Sequence, residues 1–203
     1  MEEILKKYIP GHAVRLVVGL LKEYPCKLKI VNNRKTKHGD FRKLQNGQYQ
    51  ITVNNDLNHY RFLLTLIHEL AHLATHRKFG LVKPHGIEWK RYFQQLMLPF
   101  LNPQIFPLAL LPLLANYLKN PKASTDSDVR LSLALKEFDE KNGNSYIFEI
   151  PLRTKFIHNN RIFERGNKRR TRYECVELKT NKKYLFHQNA EVTLISEGLF
   201  ESL

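Results

Sequence analysis

Leu66-Ile67-His68-Glu69-Leu70-Ala71-His72-Leu73 sits inside the strongest helix-patterned stretch of this 203-residue chain, Asn58 to Phe79. Four residues apart on a helix, His68 and His72 project from one face, about 40° apart and about 6 Å along the axis. Two imidazoles so placed can grip one zinc ion at about 2.0–2.1 Å each. Glu69 lies about 100° round from His68, near enough to reach water at the metal without ligating it. Its carboxylate is then the base that takes a proton from water made acidic by the ion. The same 100° spacing places Leu63, Leu66, Ile67, Leu70, Ala71, Leu73 and Ala74 on one arc. Arg61, Thr65, Thr75 and His76 join the motif residues on the other. The pattern predicts a helix with one buried side and one side facing a cleft.

A catalytic zinc needs a third protein ligand and an open position. His76 continues the i, i+4 series but lies about 12 Å along the axis from His68, too far to share the ion, and reads as an exposed histidine. The metzincin pattern would place Gly and His where this chain has Thr75 and Lys78, which excludes that class. The favoured ligand is His85, in Lys83-Pro84-His85-Gly86-Ile87-Glu88-Trp89-Lys90: Gly80 stops the helix, and Pro84 and Gly86 shape a turn that can return to the metal. Glu88 is the competing carboxylate. Trp89, at helical spacing from Phe93, reads as core. For stabilising the transition state, Tyr60, Tyr92 and His76 are candidates, and none stands out.

H-E-L-A-H at 68–72 followed by P-H-G-x-x-W-K at 84–90 resembles the SprT-like (Spartan-related) zinc metalloproteases. Arg34 to Gly39, then Ile51-Thr52-Val53-Asn54, are similar to the family's strand region ahead of the active helix. The resemblance covers roughly residues 10–100. It implies a zincin-like α+β body, one catalytic Zn²⁺ on His68, His72 and His85, Glu69 as the catalytic residue, and DNA-bound or DNA-crosslinked proteins as substrates. The chain departs from the pattern downstream, where many bacterial relatives carry a four-cysteine zinc ribbon. Cys26 and Cys175 stand alone without a C-x-x-C, so neither that site nor a disulfide scaffold can form.

The net charge of +14 is unevenly distributed. Residues 22–43 carry a net +6 and residues 151–183 a net +8, leaving the rest neutral. Clustered positive charge points to a polyanionic partner, nucleic acid before membrane. The candidate contacts are Lys168, Arg169, Arg170 and Arg172 in a dense basic turn, Lys182 and Lys183 beyond it, and Arg34, Lys35 and Lys37 upstream. Phe156, Phe163, Tyr173, Tyr184 and Phe186 flank that turn. Exposed aromatics there would stack on bases and favour single-stranded DNA, although strand spacing makes most of them core. No secretory leader is legible at the N-terminus, and Ile105–Leu118 is too short and proline-broken to span a bilayer. A cytoplasmic protein, nucleoid-associated if DNA is the partner, is expected.

Along the chain, helices are predicted over Gly11–Tyr24, Asn58–Phe79, Ile87–Met97 and Ser127–Glu140. Strands are predicted at Cys26–Val31 and Tyr49–Val53, with a basic turn region at Lys35–Gly47. Asn54-Asn55-Asp56 reads as strand stop and helix start together. After residue 145 the texture becomes short strands: Tyr146–Ile150, Lys155–Ile157, Arg161–Phe163, Arg172–Leu178 and Lys183–Phe186. The predicted organisation is a metalloprotease domain over 1–120, a connecting helix in 121–144, and over 145–203 a basic β-rich module resembling a zinc ribbon without its cysteines. Cys175 with His158 and His187 could be a remnant site. The expected activity is peptide hydrolysis by zinc-activated water. The alternatives are a zinc-containing nucleic-acid-binding protein without peptidase activity and a zinc hydrolase for a small substrate.

Overall fold

The computed structural model describes residues 1–34, 36–139 and 144–195. The chain forms two compact units, Met1–Asp139 and Glu140–Leu203. Both helix and strand build the first, so the architecture is α+β.

In the first unit, Pro10 precedes a 3₁₀ turn, Gly11–Ala13, that leads into helix α2, Val14–Glu23; a short helix, α1, spans Glu2–Leu5. Three strands follow: β1 (Lys27–Val31), β2 (Gly39–Lys43) and β3 (Tyr49–Asn54). Their order is β1-β3-β2, with β1 parallel and β2 antiparallel to β3. β2 lies inside the segment read as a basic turn. Its only large apolar residue is Phe41, and as an edge strand it needs no alternating hydrophobic pattern to pair with Tyr49–Val53.

Helix α3 runs from His59 to Phe79. Its N-cap is Asn58 rather than the Asn54-Asn55-Asp56 cluster: the Asn58 side-chain oxygen accepts from the N–H groups of Tyr60 and Arg61, each at 3.0 Å. Gly80, at φ +69, closes the other end with its N–H on the His76 carbonyl. The predicted apolar arc of α3 is fully buried. The opposite side differs from expectation, because Arg61, Glu69 and Thr75 are buried as well. β2 crosses there so closely that a Cβ on Gly39 would stand 2.7 Å from Thr65 Cγ2 and 3.0 Å from Glu69 Cγ.

Helix α4 (Ile87–Met97) packs Trp89 and Phe93 into the same core. Prolines then break the chain into a 3₁₀ turn at Leu98–Phe100 and helix α5 (Leu111–Lys119). The last helix, α6, is shorter than predicted, Val129–Lys136, and Glu140 lies outside the described residues. The 121–144 segment is more than a connector, since Leu131 and Leu135 of α6 belong to the first unit's core.

The second unit is an antiparallel sheet of six strands: β4 (Asn144–Tyr146), β5 (Lys155–His158), β6 (Arg161–Arg169), β7 (Arg172–Glu177), β8 (Lys183–His187) and β9 (Glu191–Leu194). The order is β4-β9-β5-β6-β7-β8. β4 ends at Tyr146, and the predicted strand residues 147–150 form a turn whose Ile147 and Ile150 enter the core. β6 extends six residues past its predicted end through a bulge between Arg165 and Lys168. A Cβ on Gly166 there would meet the Glu174 carbonyl oxygen at 2.4 Å, so only glycine fits. Phe156, Phe163, Tyr173 and Phe186 are all buried, with Tyr184 packed against them.

Candidate metal centre

One turn of α3 sets His68 above His72, and the segment between Gly80 and Gly86 brings back His85. His85 adopts φ +57, a left-handed conformation uncommon outside glycine and asparagine. The three Nε2 atoms converge: His72 to His85 3.0 Å, His68 to His85 3.1 Å, and His72 to His68 3.2 Å. Three nitrogens about 2.0–2.1 Å from one tetrahedral zinc would stand about 3.3 Å apart, so this donor set fits such an ion. Glu88 stands outside the group, beside Gly86. Among the described residues this is the sole cluster of three or more His, Cys, Asp or Glu able to hold a metal. Cys175, His158 and His187 do not gather: Cys175 is buried, and His158 Nδ1 is engaged with the Glu191 carbonyl.

Burial pushes all three imidazoles toward the neutral, ligating form. His68 is held well below the ordinary value by burial and then by its two neighbours, and His72 is lowered to about 4 by burial and His85. Burial lowers His85 as well. The indole of Trp89 forms the floor, with its ring centre 4.6 Å from His68, 5.2 Å from His72 and 4.7 Å from His85. Its Nε1–H donates to the His68 carbonyl at 3.4 Å, and Phe93 stacks behind it. Read from spacing alone as core, Trp89 is both core and site wall, because an inward-facing aromatic gives the same pattern in either role.

Glu69 faces the same cleft, a space of about 440 Å³ bounded by β2 and by the chain from Gly80 to His85. Its carboxyl is pushed up to about 8, first by burial and then by the nearby charge of Asp40, against a hydrogen bond from the Phe41 N–H. Asp40 is a feature the sequence did not signal. Its Oδ1 accepts from Arg34 Nη1 and Thr52 Oγ1, each at 2.5 Å, and its Oδ2 from Arg42 Nη2 at 2.7 Å. Lys37 Nζ stands 3.4 Å away. Burial would raise the Asp40 carboxyl, but the bonds from Thr52, Arg42 and Arg34 outweigh it and hold it well below the usual range.

The remaining candidates fall in different places. His76 is half-buried, 5.8 Å from the rings of Phe41 and Tyr49, and lines the cleft. Tyr60 packs on Phe106 and Phe138, and Tyr92 against Phe79, both away from the cleft lining. Arg34 and Lys37 lie beside the cleft on Asp40, while Lys35 is outside the described residues. Lys168, Arg169, Arg170, Arg172, Lys182 and Lys183 are all exposed on the second unit. Arg169 and Lys183 are tethered to Glu174 at 2.5 and 3.1 Å. The flanking aromatics form that unit's core, as strand spacing indicates for most of them, so they offer no base-stacking surface.

Fold and site together define three histidines able to hold a metal ion, two on a buried helix and one on the segment that follows it, with a carboxylate beside them. Residues 20–105 match the SprT-like family. That family is associated with metallopeptidase-like proteins, and the matched stretch contains His68, His72 and His85, the three residues that could hold a metal ion. A shorter stretch is similar to Protein SprT of Vibrio atlanticus (strain LGP32), 59% identical over 29 residues, covering 14% of this chain and 18% of that relative. No solved structure matches. No helix among the described residues is long and apolar enough to cross a membrane.

Proposed function

We propose that this chain is a zinc-dependent metallopeptidase with a zincin-like catalytic body, and that its substrates are proteins bound or crosslinked to DNA. The observation that carries the reading is the convergence of three histidine Nε2 atoms at 3.0–3.2 Å in a cleft that also holds Glu69. His68, His72 and His85 would hold the ion, which when bound supplies Lewis acidity to a carbonyl oxygen and to water. With the ion's charge beside it the Glu69 carboxyl would ionise, and that carboxylate takes the proton of the attacking water and returns it to the departing amine. Trp89 and Phe93 exclude solvent behind the imidazoles and fix their orientation. A metal used only for structure has no need of a buried carboxylate in the same cleft, which argues against the reading as a binding protein without peptidase activity.

DNA enters through the exposed cations around the β6–β7 hairpin, which suit phosphates. With the aromatics buried, the support for a preference for single strands falls away, and contact through the backbone alone would accept either form. The test is cleavage of a DNA-crosslinked protein by the metal-loaded chain, with and without single- or double-stranded DNA, beside Glu69→Gln. Cleavage of the crosslinked protein that requires Glu69 and is raised by DNA is expected. A folded, metal-bearing protein that cleaves nothing would overturn the peptidase reading.

A further inference from the structure

Beside the metal cleft lies a second cavity of about 260 Å³, sharing Gly39, His68, Glu69 and Ala123 with it. Arg34, Lys37, His38 and Asp126 contribute its charged and titratable wall. The acids around it are matched unequally. Asp126 is met by Arg61 Nη1 at 2.7 Å and His38 Nε2 at 2.8 Å, and Arg61 is itself buried. Asp40, one carboxylate, is shared by three cations, Arg34, Arg42 and Lys37. Set against Asp40 and Glu69 together, these three cations leave one positive charge over beside the cleft.

Arg34 is held in place at two of its nitrogens. Its Nε donates to Asn54 Oδ1 at 2.9 Å and its Nη1 to Asp40, while its Nη2 is buried and finds no acceptor among the described residues. Asn54 is fixed in turn through its amide on the Lys37 carbonyl at 2.9 Å. Nη2 is closed off from solvent, so what Arg34 presents to the cavity is the fixed charge of its guanidinium, beside the ammonium of Lys37. The arrangement is a rigid, positively charged wall beside Glu69.

We propose that this cavity is a subsite for an acidic side chain, Asp or Glu, of the polypeptide lying in the metal cleft, with Arg34 and Lys37 as its ligands. Because the cavity is bounded by His68 and Glu69, the acidic residue stands next to the bond that is cut. The assignment rests on the metallopeptidase reading, and it turns two cations that sequence suggested for DNA toward the protein part of the substrate.

The test uses the full-length, metal-loaded chain and paired peptides that differ only in Glu against Gln at positions flanking the cleaved bond. A free C-terminal carboxylate offers the same chemistry, so each pair is made with amidated and with free C-termini. The Glu peptide should be cut with kcat/KM about tenfold higher, the size of one charge-assisted hydrogen bond. That preference should disappear in Lys37→Glu and in Arg34→Met. Lys37 is the more exposed of the two, so its variant guards against a folding failure at Arg34. Labelled peptides bound to Glu69→Gln should show the same preference in affinity without turnover. Equal affinity for Glu and Gln peptides would overturn the subsite, as would a gain that follows the terminal carboxylate. So would a Lys37→Glu variant that loses DNA affinity and keeps its peptide preference. Absence of cleavage of every peptide would fall on the peptidase reading, leaving the binding preference to decide the subsite.

Discussion

Around Asp40 three cations of the first basic stretch, Arg34, Lys37 and Arg42, converge on a carboxylate, whereas at the β6–β7 hairpin the cations of the second stand in solvent. By composition the two stretches are alike. In the first, Arg34 is anchored at Nε and Nη1, and the carboxylate holding it is half-buried behind Thr52. In the second, Glu174 tethers Arg169 and Lys183, and Arg170 lies at the turn between two exposed strand ends. Fixed charge beside a cleft selects a partner by position. Charge on an exposed hairpin attracts any polyanion, at a strength set by salt. The difference between the two clusters is therefore one of rigidity rather than of sign.

The largest expected effect separates the units outright. Glu69→Gln should lower cleavage by about 10²–10⁴-fold, the range of a lost general base, while metal content measured by atomic absorption stays at wild-type stoichiometry. Substitutions on the hairpin should leave the hydrolysis of a short peptide without DNA unchanged. Next comes the buried framework of the first unit. Arg61→Met strips Asp126 of its main cation and leaves Asp139 with a weaker environment. Removing one partner from a fully buried pair costs about 3–5 kcal/mol. Because Asp126 keeps about a third of its side-chain surface exposed, a loss of about 2–3 kcal/mol is expected, read from the urea midpoint.

Acid should act on the same framework. Burial raises Asp126, but the bond from His38 and the charge of Arg61 outweigh it, so Asp126, like Asp40, is held below the usual carboxylate range. A depressed native pKa means that the unfolded chain binds more protons in acid. The stabilisation is complete above about pH 5 and is lost as pH falls through the unfolded value of about 3.9 toward the native ones. Urea midpoints between pH 7 and pH 3 should fall accordingly, and Asp40→Asn should flatten that slope while lowering the midpoint at pH 7. The smallest effect belongs to the hairpin. Arg170→Ala should reduce the slope of log K against log salt for DNA by about 1. Arg169→Ala should reduce it less, since Glu174 already offsets its charge. Equal changes for the two would erase the distinction drawn between tethered and free cations.

What could be read in the sequence follows the range of the interactions involved. His68, Glu69 and His72 are related by a single helical turn, and His85 by a short turn between Gly80 and Gly86, so local geometry is enough to group them. Asp40 is joined to Arg34, Thr52 and Arg42 by pairing across strands, and nothing in its immediate neighbours announces that. β2 was hidden for a related reason, since Gly39-Asp40-Phe41-Arg42-Lys43 has turn-like composition and becomes a strand only against β3. The polar side of α3 was legible as polar but not as buried, because β2 and Asp126, which cover it, come from elsewhere in the chain. In the second unit, Lys168 and Arg169 looked like a turn, yet they pair with Tyr173 and Arg172 beyond a bulge that depends on Gly166.

Trp89, the chain's one tryptophan, touches all three imidazoles of the cluster. Any light this protein emits on tryptophan excitation therefore originates at the metal cleft, with no second indole to dilute it. Zinc settling among the histidines would change the emission by altering the rings beside the indole, and an open-shell ion such as Co²⁺ would quench it. The molecule thus carries its own optical gauge of occupancy, usable in a titration without a label and without a substrate.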